Sequence, residues 1–96
     1  MKKFELTSEK KDFLGTTLYR IKALRDFGAV EKGELGGFVE KENNLDHDGN
    51  AWVSGNARVS GNARVSGNAW VYGNARVYGK IKLKAVLCSR FNFEFD

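Results

Sequence analysis

Asn50-Ala51-Trp52-Val53-Ser54-Gly55, Asn56-Ala57-Arg58-Val59-Ser60-Gly61, Asn62-Ala63-Arg64-Val65-Ser66-Gly67, Asn68-Ala69-Trp70-Val71-Tyr72-Gly73 and Asn74-Ala75-Arg76-Val77-Tyr78-Gly79 are five consecutive hexads without an insertion. Weaker copies extend the phase both ways: Phe38 to Asn43 and Asn44 to Gly49 upstream, Lys80 to Ala85 downstream, and Val86 to Phe91 more loosely. A fixed short period of this kind is the mark of a stacked repeat.

Within a hexad the alternation has period two, as in Ala57 inward, Arg58 outward, Val59 inward and Ser60 outward, which describes a short half-buried strand. The Gly-Asn pair that follows suits a sharp corner, because both residues tolerate the left-handed backbone region. A helix is disfavoured, since glycine every six residues costs ~1 kcal/mol each. Hairpins would reverse the chain at every corner. Units of six instead suit a coil with three sides, in which 18 residues make one turn and parallel strands stack at ~4.8 Å. Residues 38–91 hold nine such hexads, hence about three turns and a rise of roughly 15 Å.

The pattern resembles the hexapeptide-repeat left-handed β-helix, with its aliphatic residue followed four positions later by a small one: Val53/Ala57, Val59/Ala63, Val65/Ala69 and Val71/Ala75. The left hand is implied by that resemblance alone, because general rules for parallel crossovers favour the right. The stretch from Leu18 to Phe27, leading through Gly33-Glu34-Leu35-Gly36-Gly37-Phe38-Val39 into the repeat, is similar to small phage and prophage hexapeptide-repeat proteins. It is also similar to a group of bacterial proteins labelled acetyltransferase-like. The expected fold is all-β: a short left-handed parallel β-helix with a small N-terminal cap and a C-terminal strand. Its expected organisation is a cap region at 1–37, the repeat at 38–85 and a capping or oligomerisation strand at 86–96, within one compact domain.

An 18-residue turn places residues on faces. One face carries Trp52 and Ser54, then Trp70 and Tyr72, then Cys88 and Arg90. A second carries Arg58 and Ser60, then Arg76 and Tyr78. The third carries Asp46 and Asp48, then Arg64 and Ser66, then Lys82 and Lys84. Inward positions belong to valine and alanine, so the two indoles are expected outside the core, as part of an interface; the alternative is cover from within the chain. Arg58 and Arg76 beside Tyr78 are suited to a carboxylate or phosphate. Asp46 and Asp48 are expected to neutralise Arg64 locally. Columns of asparagine (Asn44 over Asn62, Asn50 over Asn68, Asn56 over Asn74) are expected to bond along the axis.

The open ends of such a coil need closing. Lys3 to Leu6 reads as a short strand. Thr7 to Leu14 reads as a helical turn with Thr7 or Ser8 as N-cap and Gly15 as its stop. Thr17 to Leu24 reads as a strand with Tyr19, Ile21 and Ala23 on one side. At the other end Phe91, Phe93 and Phe95 alternate with polar residues. A thin Val/Ala core cannot hold three more rings, so this strand should cover its own coil or cross to a neighbour. Burying them would contribute ~1.5–3 kcal/mol each. A homo-oligomer is expected; the resemblance implies a trimer, with a dimer through the C-terminal strands as alternative.

Composition narrows the function. The chain has 96 residues, 42% hydrophobic, with one cysteine, 11 glycines and no proline. A lone thiol excludes an internal disulfide or a cysteine-based zinc site and fits a reducing compartment, with the cytoplasm expected. No apolar run follows the lysines at the start, and no stretch is long and apolar enough to span a bilayer, so neither a secretory leader nor a membrane partner is expected. The net charge is +4, and residues 50–91 carry seven basic groups and no acid, a tract suited to an acidic partner.

Catalysis finds little support. His47, the one histidine, falls at an inward position in column with Val65 and Leu83. Acyltransferases of the resembling fold use a histidine base at a subunit boundary, and carbonic anhydrases of that fold need three histidines around zinc. Cys88 has no base in its column. No cofactor or metal is expected. The reading is a non-enzymatic, phage-associated scaffold that binds a host protein through Trp52, Trp70, Tyr72, Arg58, Arg76 and Tyr78, and that acts as an inhibitor of a host enzyme or defence complex. The first alternative is a hexapeptide acyltransferase. The second is a nucleic-acid-binding accessory protein, disfavoured by the modest charge and the lack of a recognition helix.

Overall fold

The computed structural model describes residues 2–13, 15–80, 82–83, 87–88 and 92–95, with Phe13, Leu83 and the residues from 87 onward described as backbone alone. Its elements are strands and one short 3-10 turn; there is no α-helix among the described residues. Two long strands, β1 (Phe4–Phe13) and β2 (Thr16–Ala23), form an antiparallel hairpin. β3 (Leu35–Val39) pairs antiparallel with β2. The 3-10 turn at Glu42–Asn44 leads to the repeat.

Each hexad contributes one brief strand: β4 (Trp52–Val53), β5 (Arg58–Val59), β6 (Arg64–Val65), β7 (Trp70–Val71), β8 (Arg76–Gly79) and β9 (Lys82–Leu83). Every third strand shares a parallel ladder: Trp52 opposite Trp70, Arg58 opposite Arg76, and Arg64 opposite Lys82. The 18-residue register read from the sequence therefore holds across all three ladders. Gly55, Gly61, Gly67 and Gly73 turn the corners at φ of 63, 65, 63 and 66°, where a side chain would be strained. Inward Ala57, Val59, Ala63, Val65, Ala69, Val71, Ala75 and Val77 are at most 1% exposed and form the core.

Both ends depart from that register. Upstream, Phe38 lies opposite Arg58 and Leu45 opposite Val65, 20 residues apart. Two extra residues are thus accommodated in the segment from Asp46 to Ala51. Leu45, fully buried, takes the place opposite Val65 that the uninterrupted phase assigned to His47. Downstream, β10 (Leu87–Cys88) sets Leu87, not Cys88, opposite Trp70, and β11 (Asn92–Phe95) sets Asn92 opposite Arg76. The spacing shrinks to 17 and then 16 residues, because the Gly-Asn corners that fix each side at six residues are gone.

The expected helical turn over Thr7–Leu14 is instead the body of β1. Thr7, read as an N-cap, donates its hydroxyl to Arg20 O across the hairpin at 2.9 Å, and Glu9 accepts from Arg20 Nε at 2.8 Å. Gly15, read as a helix stop, is in the hairpin turn at φ 84°. Non-local pairing overrides the weak local helix signal, at the cost of a register irregularity between Leu6 and Lys10.

β3 joins two kinds of pairing within one six-stranded sheet: antiparallel β2 on one side and parallel β5 on the other, in the order β1-β2-β3-β5-β8-β11. It comes very close to the repeat. A Cβ on Gly36 would stand 2.5 Å from Val53 O and 2.7 Å from the Trp52 ring, and one on Gly37 would stand 2.7 Å from Ala57 O. Only glycine fits at these two positions.

Candidate binding face

The six residues expected to form the face fall into two ladders. Trp52 and Trp70 belong to the β4–β7 ladder, with Tyr72 just past the end of β7; Arg58, Arg76 and Tyr78 belong to the β5–β8 ladder. Tyr72 and Arg76 flank the Gly73-Asn74 corner between them.

Trp52 does not reach the surface. Its side chain is outward from the repeat, as expected, but it is 0% exposed because the N-terminal region lies over it. Phe27 meets it edge-on at 5.3 Å and 70°, and Gly36 lies against its ring. Cover from within the chain explains the indole, and its Nε1 is buried without a hydrogen-bond partner. Trp70, one coil further on, is only partly buried against the core, and Tyr72 is 37% exposed. The exposed aromatic character of this ladder therefore lies in Trp70 and Tyr72.

The second ladder is concave. Thr16 and Leu18 of β2, Arg58 and Ser60 around β5, and Arg76, Val77 and Tyr78 of β8 line a pocket of about 140 Å³. The sequence placed Arg58, Ser60, Arg76 and Tyr78 together; it gave no sign that the hairpin would wall them in. Upstream in the same column is Phe38, covered by the Arg20 guanidinium at 4.5 Å and the Lys11 ammonium at 4.8 Å from its ring. That cation–π cover keeps Phe38 at 1% exposure.

On the third ladder Arg64 meets Asp46 at 3.5 Å, the local neutralisation read from the sequence. The asparagine column is replaced there by other bonds. Asn44, fully buried, donates its amide to Ala63 O at 2.8 Å and Gly61 O at 3.3 Å, while Lys41 Nζ reaches Asn62 Oδ1 at 3.0 Å.

His47 is half-buried and held on three sides. Its ring stacks on Phe4 at 4.4 Å and 14°. Nδ1 accepts from the Lys3 backbone N–H at 3.0 Å, which leaves the proton on Nε2 to be donated to Glu42 Oε2 at 2.9 Å. That bond, with help from Lys2 at 3.2 Å, holds the Glu42 carboxyl below its ordinary range.

Lys3 escaped the sequence reading. It is fully buried, its ammonium donating to Ala51 O at 2.7 Å and Gly49 O at 3.4 Å and lying 4.8 Å from the centre of the Phe27 ring. Burial lowers its pKa to about 8, since loss of water disfavours the charged form. Its only sequence signal was its place just before the apolar Phe4.

Phe91 and the side chains of Phe93, Phe95 and Cys88 lie outside the described residues. The backbone of β11 runs beside β8, with Phe93 opposite Val77 and Phe95 opposite Gly79. No helix among the described residues is long and apolar enough to cross a membrane.

No curated protein matches the chain. A family model described as the YdcK beta solenoid repeat matches residues 57–73 and 69–80, the stretch in which the parallel ladders keep strict 18-residue register. Across that stretch the chain is similar to a β-solenoid repeat.

Proposed function

We propose that this chain is a non-enzymatic left-handed β-helix scaffold of about three turns, which binds a protein partner through Trp70, Tyr72, Arg58, Arg76 and Tyr78. One observation carries the reading. A partly buried indole and an exposed phenol stand on one ladder and a pocket with two arginines on the next, in a stretch of sequence from 50 to 91 that contains no acid. Aromatic and arginine side chains are the groups enriched at protein interfaces. Trp52 takes no direct part; it anchors the N-terminal cap.

The resemblance to phage and prophage repeat proteins supports a role in the cytoplasm of a host cell, where the scaffold occupies and inhibits a host enzyme or defence complex. In this reading the protein acts as a homo-oligomer, a trimer or a dimer, with Phe91, Phe93 and Phe95 at the subunit contact. His47 serves the cap: its engagement with Lys3, Glu42 and Phe4 supports a structural role over that of an acyl-transfer base.

The test is capture from host lysate on the tagged protein. The double variant Trp70→Ala/Tyr72→Ala should lose the partner while its circular dichroism spectrum and unfolding midpoint stay near wild type. Retained capture refutes the face. Saturable binding of an acyl-coenzyme A, with turnover abolished by His47→Ala, would establish the enzymatic reading instead.

A further inference from the structure

The pocket between the hairpin and the β5–β8 ladder is more specific than a contact surface. We propose that it is a carboxylate-binding site, which takes the side chain of an aspartate or glutamate from an acidic segment of the partner. This rests on the protein-binding reading for the source of the carboxylate and adds the chemistry of its recognition.

The chemistry follows from the register. Arg58 and Arg76 lie directly opposite each other on adjacent parallel strands, which places their backbones ~4.8 Å apart. Guanidinium groups offer planar forks that match a carboxylate. Both arginines also interact within the chain, so the inference is of a shared anion in a formed site and not of bare charges. Three hydroxyl-bearing side chains, Thr16, Ser60 and Tyr78, line the same pocket and can donate to oxygen; Leu18 and Val77 complete the lining. No carboxylate is among the described residues of that lining. Strands on two sides give a fixed concave shape, which reduces the ordering cost of binding.

The probe is a blocked tetraglutamate peptide, titrated into the full chain and followed by backbone amide shifts and calorimetry at low salt. Saturable binding is expected, with the Ser60 and Tyr78 amides among the most shifted. Arg58→Gln and Arg76→Gln should each weaken it at least tenfold. Arg76→Lys, which keeps charge and loses the fork, should weaken it severalfold. Tyr78→Phe and Ser60→Ala provide milder changes should the arginine variants fail to fold, and each should weaken it measurably. Lys82→Gln, a charge loss on a different ladder, should leave affinity within twofold.

Blocked tetraglutamine should not bind. A silent tetraglutamate peptide, or equal binding by wild type and the pocket variants, overturns the proposal. So does inorganic phosphate binding at these residues more tightly than the peptide, which would assign the pocket to a phosphoryl group. Peptide binding without capture from lysate sinks the host-protein reading alone; capture without peptide binding sinks the carboxylate site alone.

Discussion

A buried lysine that keeps its charge makes stability depend on pH in an unusual direction. In the folded chain Lys3 titrates at about 8 against an ordinary value of 10.5, chiefly because burial disfavours the ammonium; nearby Asp46 and Asp48 oppose the shift and Arg25 adds to it. Between those two pH values the unfolded chain binds more protons than the folded one, so stability rises with pH. The difference of 2.5 pH units, at about 1.4 kcal/mol per unit, places about 3 kcal/mol of cost on the charged form at neutral pH. Most of it is relieved by pH 10, a gain of about 2 kcal/mol, or roughly 10 °C in Tm for a domain of this size. Lys3→Met keeps an apolar stem above Phe27 and abolishes that slope. At pH 7 its net effect is small, because relief of the charge is offset by the donor lost to Ala51 O, worth about 1–3 kcal/mol. Urea unfolding of both proteins from pH 7 to 10, read by tryptophan fluorescence, measures the difference. Equal pH profiles would refute the lowered pKa of Lys3 and the desolvation that causes it.

Other perturbations test separate contacts. Trp52→Ala should cost about 3–5 kcal/mol by opening a cavity, whereas Trp70→Ala should cost distinctly less because its ring is already partly in water; denaturant midpoints compare them. Gly36→Ala and Gly37→Ala should each lose at least about 1–3 kcal/mol from overpacking against Val53, Trp52 and Ala57, while Gly15→Ala, in open space at φ 84°, should lose only the backbone strain of that conformation, about 1–2 kcal/mol. Glu42 has its folded pKa lowered from 4.5 by the His47 bond, so it contributes stability above that pH which is lost as pH falls through the lowered value. Glu42→Gln should therefore flatten the acid limb of the unfolding curve.

The repeat was legible because its signal is local and redundant. Each hexad states its own strand and corner, so Trp52 over Trp70, Arg58 over Arg76 and Arg64 over Lys82 followed from counting. Counting failed where glycine no longer marks each sixth residue. The Asp46-His47-Asp48-Gly49 stretch matches a hexad by spacing but holds two residues more than the path requires, and nothing in its composition marks them as extra. The N-terminal hairpin was illegible for a different reason. Thr7 to Lys11 is polar and fits a helix start as well as an edge strand; only pairing with Thr16–Ala23 decides between them. The proposed face was half legible. Which residues share a ladder is a matter of period, but whether a ring is open to water depends on what else in the chain reaches it.

The buried tryptophan and the buried lysine have one origin. In the parallel ladders alternate N–H groups of each coil donate to the carbonyls of the next, as Trp52 N does to Ala69 O at 3.1 Å. The first regular coil thus leaves every second one of its carbonyls facing upstream on three sides, and an unpaired buried carbonyl is costly. A single strand can serve only one side. β3 does so, with Phe38 N on Ala57 O at 2.9 Å and Glu40 N on Val59 O at 3.0 Å. On the second side Asp46 N takes Val65 O at 2.9 Å and the Asn44 amide takes Ala63 O and Gly61 O. On the third side the partner of Ala51 O and Gly49 O is the Lys3 ammonium. A lysine can take this place only where burial of its charge is offset by those carbonyls and by the Phe27 face. The same layer that brings Lys3 and Phe27 into position covers Trp52. That leaves Trp70, one coil beyond its reach, as the indole that stays partly open to water.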